Sequence, residues 1–225
     1  MLRLAGKAST CCRPAISTSS IVTATHRPQV SYDDYYHLER YLFDVVSQRY
    51  QSAGALNAFD FFCIVIWKAN RAKSIVAGRI LRKGEFTSLE QAVTELTAQV
   101  HKASSPEERL SILMDGWGFR LPMATAVLAV LYPSEFTVYD VRVCNELGSF
   151  HGLQSVSKPP LRWKGYQDYK AAVEAATPAA LSLRDKDRWL WGKSFASQLE
   201  RDVKARFGKE AVEFDGDVSQ ESPSK

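Results

Sequence analysis

Asp140 is the carboxylate of this sequence best placed to do chemistry. It follows the run Phe136-Thr137-Val138-Tyr139 and stands where a new helix opens. A carboxylate held at such a point can stabilise positive charge developing beside it, or orient and deprotonate a water. Its ordinary role there is a helix N-cap, and the two roles compete for the same side chain.

A second candidate lies upstream. The spacing predicts a helix ending near Met114, a tight turn through Gly118-Phe119-Arg120, and a second helix opening at Pro122. This is a helix-hairpin-helix pattern, whose backbone N–H groups and helix N-terminus can face one phosphate, sometimes through a bound cation. Ala124 and Ala126 are small where the two helices approach. A third feature is basic. No acid occurs between Asp60 and Glu85, while Lys68, Arg71, Lys73, Arg79, Arg82 and Lys83 all do. Such a run binds phosphates or forms a solvated helix face. Arg142 is read as an ion pair or a phosphate contact.

Other chemistries are excluded or weak. The four cysteines form no CxxC pair and only four histidines are present, so no metal or iron–sulfur site is expected. Cys63 and Cys144 are expected to be buried thiols, and His37, His101 and His151 to be surface residues. Ser-His-Asp, P-loop and GxGxxG patterns are absent. The strongest apolar run, Phe59 to Trp67, contains Asp60 and is followed by Lys68, so no membrane span is expected. The net charge of +4 is too small to identify a partner by itself.

The elements that must position these residues are helical. Residues 1–30 read as a disordered arm or, being acid-free, as an organellar targeting segment. Residues 31–212 form the folded domain, and 213–225 a disordered acidic tail. A first helix runs from Asp33 or Asp34 to about Tyr50, a second from Ala58 to Lys68, and a third to about Arg82, stopped by Gly84. Thr87–Glu90 and Ser105–Glu108 are capping-box patterns, the latter with Pro106 at the first helical position. Pro122 starts a helix through Leu131, Thr177-Pro178 a short one, and Ser182 or Asp185 the last, ending near Gly208. Residues 149–163, with Gly152 and Pro159-Pro160, read as a long connection. Trp189 or Trp191 is read first as core packing and second as a ring that stacks on a base, and Trp67 and Phe119 carry the same two readings.

Two stretches resemble the helix-hairpin-helix DNA glycosylase superfamily, nearest its 8-oxoguanine branch. Gly118, Ala124, Val127 and Leu128 match the hairpin and its second helix, and Val138-Tyr139-Asp140-Val141-Arg142 matches the segment that carries the catalytic Asp. Pro122 and Asp140 are eighteen residues apart, as the family requires. Upstream, Phe59-x-Phe61-x-Cys63 and Asn70-x-Ala72-Lys73-x-Ile75 resemble the helix pair whose Asn enters the space left by an extruded base. The resemblance implies an all-α, two-lobed fold with a helix-hairpin-helix motif. It also implies Asp140 as catalytic carboxylate, with Lys68, Asn70, Arg71, Lys73, Gly118, Phe119, Arg120 and Arg142 at double-stranded DNA. It implies no cofactor beyond a monovalent cation at the hairpin. Two positions depart from the family: Arg120 replaces a hairpin glycine, and Pro122 replaces the lyase lysine. The resemblance therefore implies a monofunctional glycosylase or a member that has lost catalysis; a monomer is expected, without a sequence feature that fixes it. A damaged purine, a deaminated base and a bulky modified base all fit. The alternatives are a DNA-binding module without catalysis and a helical protein-interaction domain. The compartment follows the source: the nucleoid-containing cytoplasm of a bacterium, or a mitochondrion or nucleus.

Overall fold

The computed structural model describes residues 32–84 and 86–207. The expectations for residues 1–30 and 213–225 fall outside that range, as do Cys11, Cys12 and His26. All regular structure among the described residues is helical, with no strand.

The chain enters through α1 (Tyr32–Tyr36) and α2 (Leu38–Tyr41), passes a π-helical turn at Leu42–Val46, and continues as α3 (Ser47–Ala53). One helix was expected here. It is interrupted at His37 and again where the ladder widens for one turn. Gly54, at φ +72°, ends α3, and its N–H closes on the Tyr50 carbonyl.

Helix α4 (Ala58–Ala69) is capped by Asn57, whose side chain accepts from the Asp60 N–H at 2.8 Å. Asp60 is fully buried. Its carboxylate accepts from the Tyr41 hydroxyl (2.7 Å), the Arg49 guanidinium and the Asn57 amide (3.1 Å). These bonds tie α2 and α3 to α4. Burial, followed by the bond to Asp60, pushes the Tyr41 phenol far above its ordinary range.

A 3₁₀ turn at Asn70–Ala72 leads into α5 (Lys73–Lys83), and α6 spans Leu89–Lys102. The capping box of α6 lies one residue later than predicted. Ser88 is the N-cap, and the Gln91 side chain reaches back to Thr87. Glu90, the predicted partner, instead accepts from the Ala58 N–H. The predicted box on α7 (Pro106–Ser111) forms at Ser105, with Glu108 reaching back to Ser104.

A π-helical turn (Ile112–Gly116) and a tight turn precede α8 (Leu121–Leu131). Every residue of α8 except Pro122 is buried. A helix apolar on all sides belongs inside the domain, and α8 packs against α3, α4 and α7 there.

After α8 the chain turns at Pro133–Glu135 and then runs extended to α9 (Val141–Leu147). This strap has no ladder partner, yet Phe136 through Tyr139 are buried. Its backbone is satisfied by side chains instead. The Tyr166 hydroxyl accepts from the Thr137 N–H (3.0 Å) and donates to the Thr137 carbonyl (2.7 Å). Tyr169 donates to the Val138 carbonyl (2.8 Å), and Thr125 of α8 accepts from the Tyr139 N–H (2.9 Å).

Both tyrosines come from α10 (Pro159–Ala175), which corrects the reading of 149–163 as a long connection. Pro159 and Pro160 occupy its first turn, where a missing N–H costs nothing. The helix predicted at Thr177-Pro178 does not form. Those residues make a turn that receives the Lys186 ammonium, which donates to Thr177 Oγ1, to the Pro178 carbonyl and to the Glu174 carbonyl at the end of α10. The last helix, α11 (Leu183–Asp202), is capped by Ser182 and continues into a π-helical turn at Val203–Phe207.

Tyr166→Phe removes the one hydroxyl that serves both backbone groups of Thr137. Loss of about 1–3 kcal/mol is expected, because the orphaned groups stay buried. A thermal melt within a degree of wild type would show that the strap is held by other means.

Candidate functional site

The strap delivers Asp140 to the wall of a cleft of about 390 Å³. Helix α4 contributes Trp67 and Lys68, the strap Val138 and Asp140, and α2 Glu39. Helix α11 contributes Arg184, Asp187, Arg188 and Trp191. The size lies within the range of about 300–1,000 Å³ usual for small-molecule sites.

Asp140 divides its two oxygens between two tasks. Oδ1 accepts from the Arg142 N–H at 2.9 Å and so caps α9. Oδ2 accepts from the Lys68 ammonium at 2.5 Å. The N-cap role is therefore real, and it leaves the second oxygen facing the cleft with a cation on it. Both side chains are largely but not fully enclosed, at 14% and 19% exposure for Lys68 and Asp140.

Opposite them, Asp187 is buried and pairs with the Arg184 guanidinium. Arg184 also donates to Glu39 (2.6 Å) and lies over the rings of Phe43 and Trp67, 4.9 and 5.0 Å from their centroids. Burial is the largest influence on the Asp187 carboxyl and pushes it up to about 6, against the lowering effect of Arg184 and Lys68.

The remaining predicted residues fall around this cleft in different ways. Asn70 lies two residues beyond Lys68, within about 8 Å along the backbone. It is exposed and accepts from the Lys73 ammonium at 3.0 Å. Arg71 and Lys73 are exposed beside it. Lys68 differs from its basic neighbours: it turns inward to Asp140 instead of facing solvent. Gly118 has φ +71°, and its carbonyl accepts from Arg79 at 2.7 Å, which fastens α5 to the turn before α8. Arg120 is exposed at the N-cap position of α8. Phe119 is placed otherwise than a DNA contact requires. Its ring is buried edge-on to Phe61, and its N–H is taken by the Leu113 carbonyl. Arg142 donates to Gln198 (2.7 Å) and lies over Trp191 and Phe195, 5.4 and 5.9 Å from the ring centroids.

Trp189 and Trp191 correct an expectation. They are 42% and 43% exposed, so neither is a core residue. Trp191 stacks on Phe195 with the rings 5.6 Å apart and nearly parallel. Cys63 and Cys144 are buried as expected. Glu39, Arg184 and Asp187 belong to the site without being legible in the sequence: the signal of Arg184 and Asp187 is the density of paired charge at the start of α11, which in most helices marks a solvated face.

Among the described residues no group of three or more His, Cys, Asp or Glu could hold a metal ion. No helix among them is long and apolar enough to cross a membrane. Comparisons with family models, with curated proteins and with solved structures found no match.

Proposed function

We propose that this chain is a DNA glycosylase of the helix-hairpin-helix type, which excises a modified or damaged base from double-stranded DNA. One observation carries the reading. A carboxylate at the end of a rigidly held strap opens onto an aromatic, charge-lined cleft, next to the exposed basic residues that follow α4. The extruded base enters between the Trp67 and Trp191 sides of the cleft. Extrusion costs a few kcal/mol of stacking and pairing. Asn70, at the rim, fills the gap left in the duplex. Asp140 then stabilises the sugar cation and takes a proton from the attacking water.

Arg71 and Lys73 contact phosphates, as does Arg120 at the N-terminus of α8. A monovalent cation at the hairpin would share the Gly118 carbonyl with the Arg79 guanidinium.

The test is incubation with duplexes carrying a panel of modified bases, followed by alkaline cleavage of abasic sites. No cleavage with any base leaves a DNA-binding module without catalysis. Absence of salt-dependent duplex binding as well leaves a protein-interaction domain. Reversing the charge of Arg71 and Lys73 together is expected to lower duplex affinity at least about tenfold at moderate salt and to flatten its salt dependence. Unchanged affinity would move the DNA surface elsewhere.

The contact between Lys68 and Asp140 favours a second reading. Pro122 has no amine, but Lys68 has one against the same carboxylate. With its proton passed to Asp140, Lys68 could form an imine with the sugar aldehyde and nick the strand. Borohydride treatment with an abasic duplex distinguishes the two: a trapped adduct on Lys68 supports strand-cleaving chemistry, and none supports simple hydrolysis.

A further inference from the structure

The steps above make no use of Asp187, although it lines the same cleft as Asp140. Its side chain is 5% exposed, and Arg184 holds one of its oxygens, Oδ2. Two carboxyl groups in one cleft therefore sit in opposite environments. Asp140 accepts from an N–H and from an ammonium, at its two oxygens. Asp187 is withdrawn from water and repelled by Asp140 and Glu39. Pairs driven apart in this way divide the acid and base roles of a reaction.

We propose that Asp187 is the proton donor to the departing base, and that the cleft acts on neutral purines, whose departure needs a proton, not on N-alkylated bases that already carry positive charge. The proposal rests on the base-excision reading above. As the C1′–N9 bond breaks, its electron pair stays with the base, and the Asp187 proton moves to a ring nitrogen. The base leaves neutral. Water adds to the sugar cation, its proton passes to Asp140, and solvent restores both carboxyls.

The aromatic walls support the choice of a neutral base. A cationic ligand is held by open aromatic faces. Here Trp67 already lies under Arg184, which lines the cleft, so a cationic base would meet guanidinium charge there. With Asp187 protonated, the cleft carries Lys68, Arg184 and Arg188 against Glu39 and Asp140, an excess of one positive charge.

The groups that face Asp187 set its pH range. They are Glu39 from α2, Lys68 from α4, Asp140 at the head of α9, the Tyr166 and Tyr169 phenols from α10, and Arg184 on its own helix. Burial outweighs the two cations, and the carboxyl titrates at about 6. A donor must hold its proton, so activity is full below that point and falls as pH rises through it.

The experiment uses the full chain and three duplexes, carrying hypoxanthine, 8-oxoguanine or 7-methylguanine. Release of at least one neutral purine is expected to fall as pH rises through about 6. Asp187→Asn is expected to remove that limb and to slow release about a hundredfold at low pH. Its affinity for a duplex with a tetrahydrofuran abasic analogue should stay at the wild-type value, which shows an intact site. If that affinity is lost, Asp187→Glu takes its place and must retain the limb. Faster release of 7-methylguanine than of either neutral purine overturns the proposal, as does a wild-type pH profile in Asp187→Asn. No release from any of the three duplexes by the wild type overturns the neutral-purine proposal, and the wider panel of modified bases then decides the base-excision reading separately.

Discussion

Asp140→Asn is expected to reduce base release about a hundredfold or more while leaving the fold and duplex affinity intact. Asn keeps the side-chain oxygen that caps α9, so the bond from the Arg142 N–H survives. It also nearly preserves the shape of the site. What it removes is the negative charge opposite the developing sugar cation, and the amide cannot accept a proton from water. The Lys68 ammonium then loses its ionic partner and adds positive charge where a cation must form. Single-turnover base release, measured beside duplex affinity and a melting curve, separates these effects. Retained release would assign the chemistry to another residue. A collapse of the melting temperature would mean that the ion pair with Lys68, not the cap, is what Asp140 contributes.

The largest effect on stability is expected at Asp60, far from any chemistry. Asp60→Ala leaves the Arg49 guanidinium without its anion and removes the acceptor of the Tyr41 hydroxyl. Removing one partner of a buried pair commonly costs about 3–5 kcal/mol, because the other charge stays in the interior. For a domain of this size that lowers the melting temperature by roughly 10 °C. Asp60→Asn should cost less, since an amide can still accept from Tyr41. Equal melting curves for Asp60→Ala and wild type would show that α2 and α3 do not depend on this buried link to α4.

Element by element, the helices were legible where the signal is local. Apolar spacing reveals α4, α5 and α8, and the Ser105–Glu108 box is a bond between neighbours that forms as written. Helix α10 was not legible. Pro159-Pro160 and the nearby Gly152 look like loop chemistry, and α10 has a mixed polar surface whose buried side is set by the strap it meets. The break at His37 and the one-residue shift of the Ser88 cap were also beyond local reading. In each case two neighbouring residues offer similar geometry, and packing selects one.

By itself the sequence determined that the domain is helical and that Asp140 stands at the head of a helix. Each follows from interactions within a few residues. Only the tertiary structure decided that Lys68 turns inward to Asp140, across 72 residues of chain. Only it placed Asp187 in the same cleft, brought Glu39 to Arg184 and buried the ring of Phe119. The physical reason is common to all four. A side chain's partners across the chain depend on how helices cross, and crossing is set by summed burial in the core, to which no short segment of sequence has access.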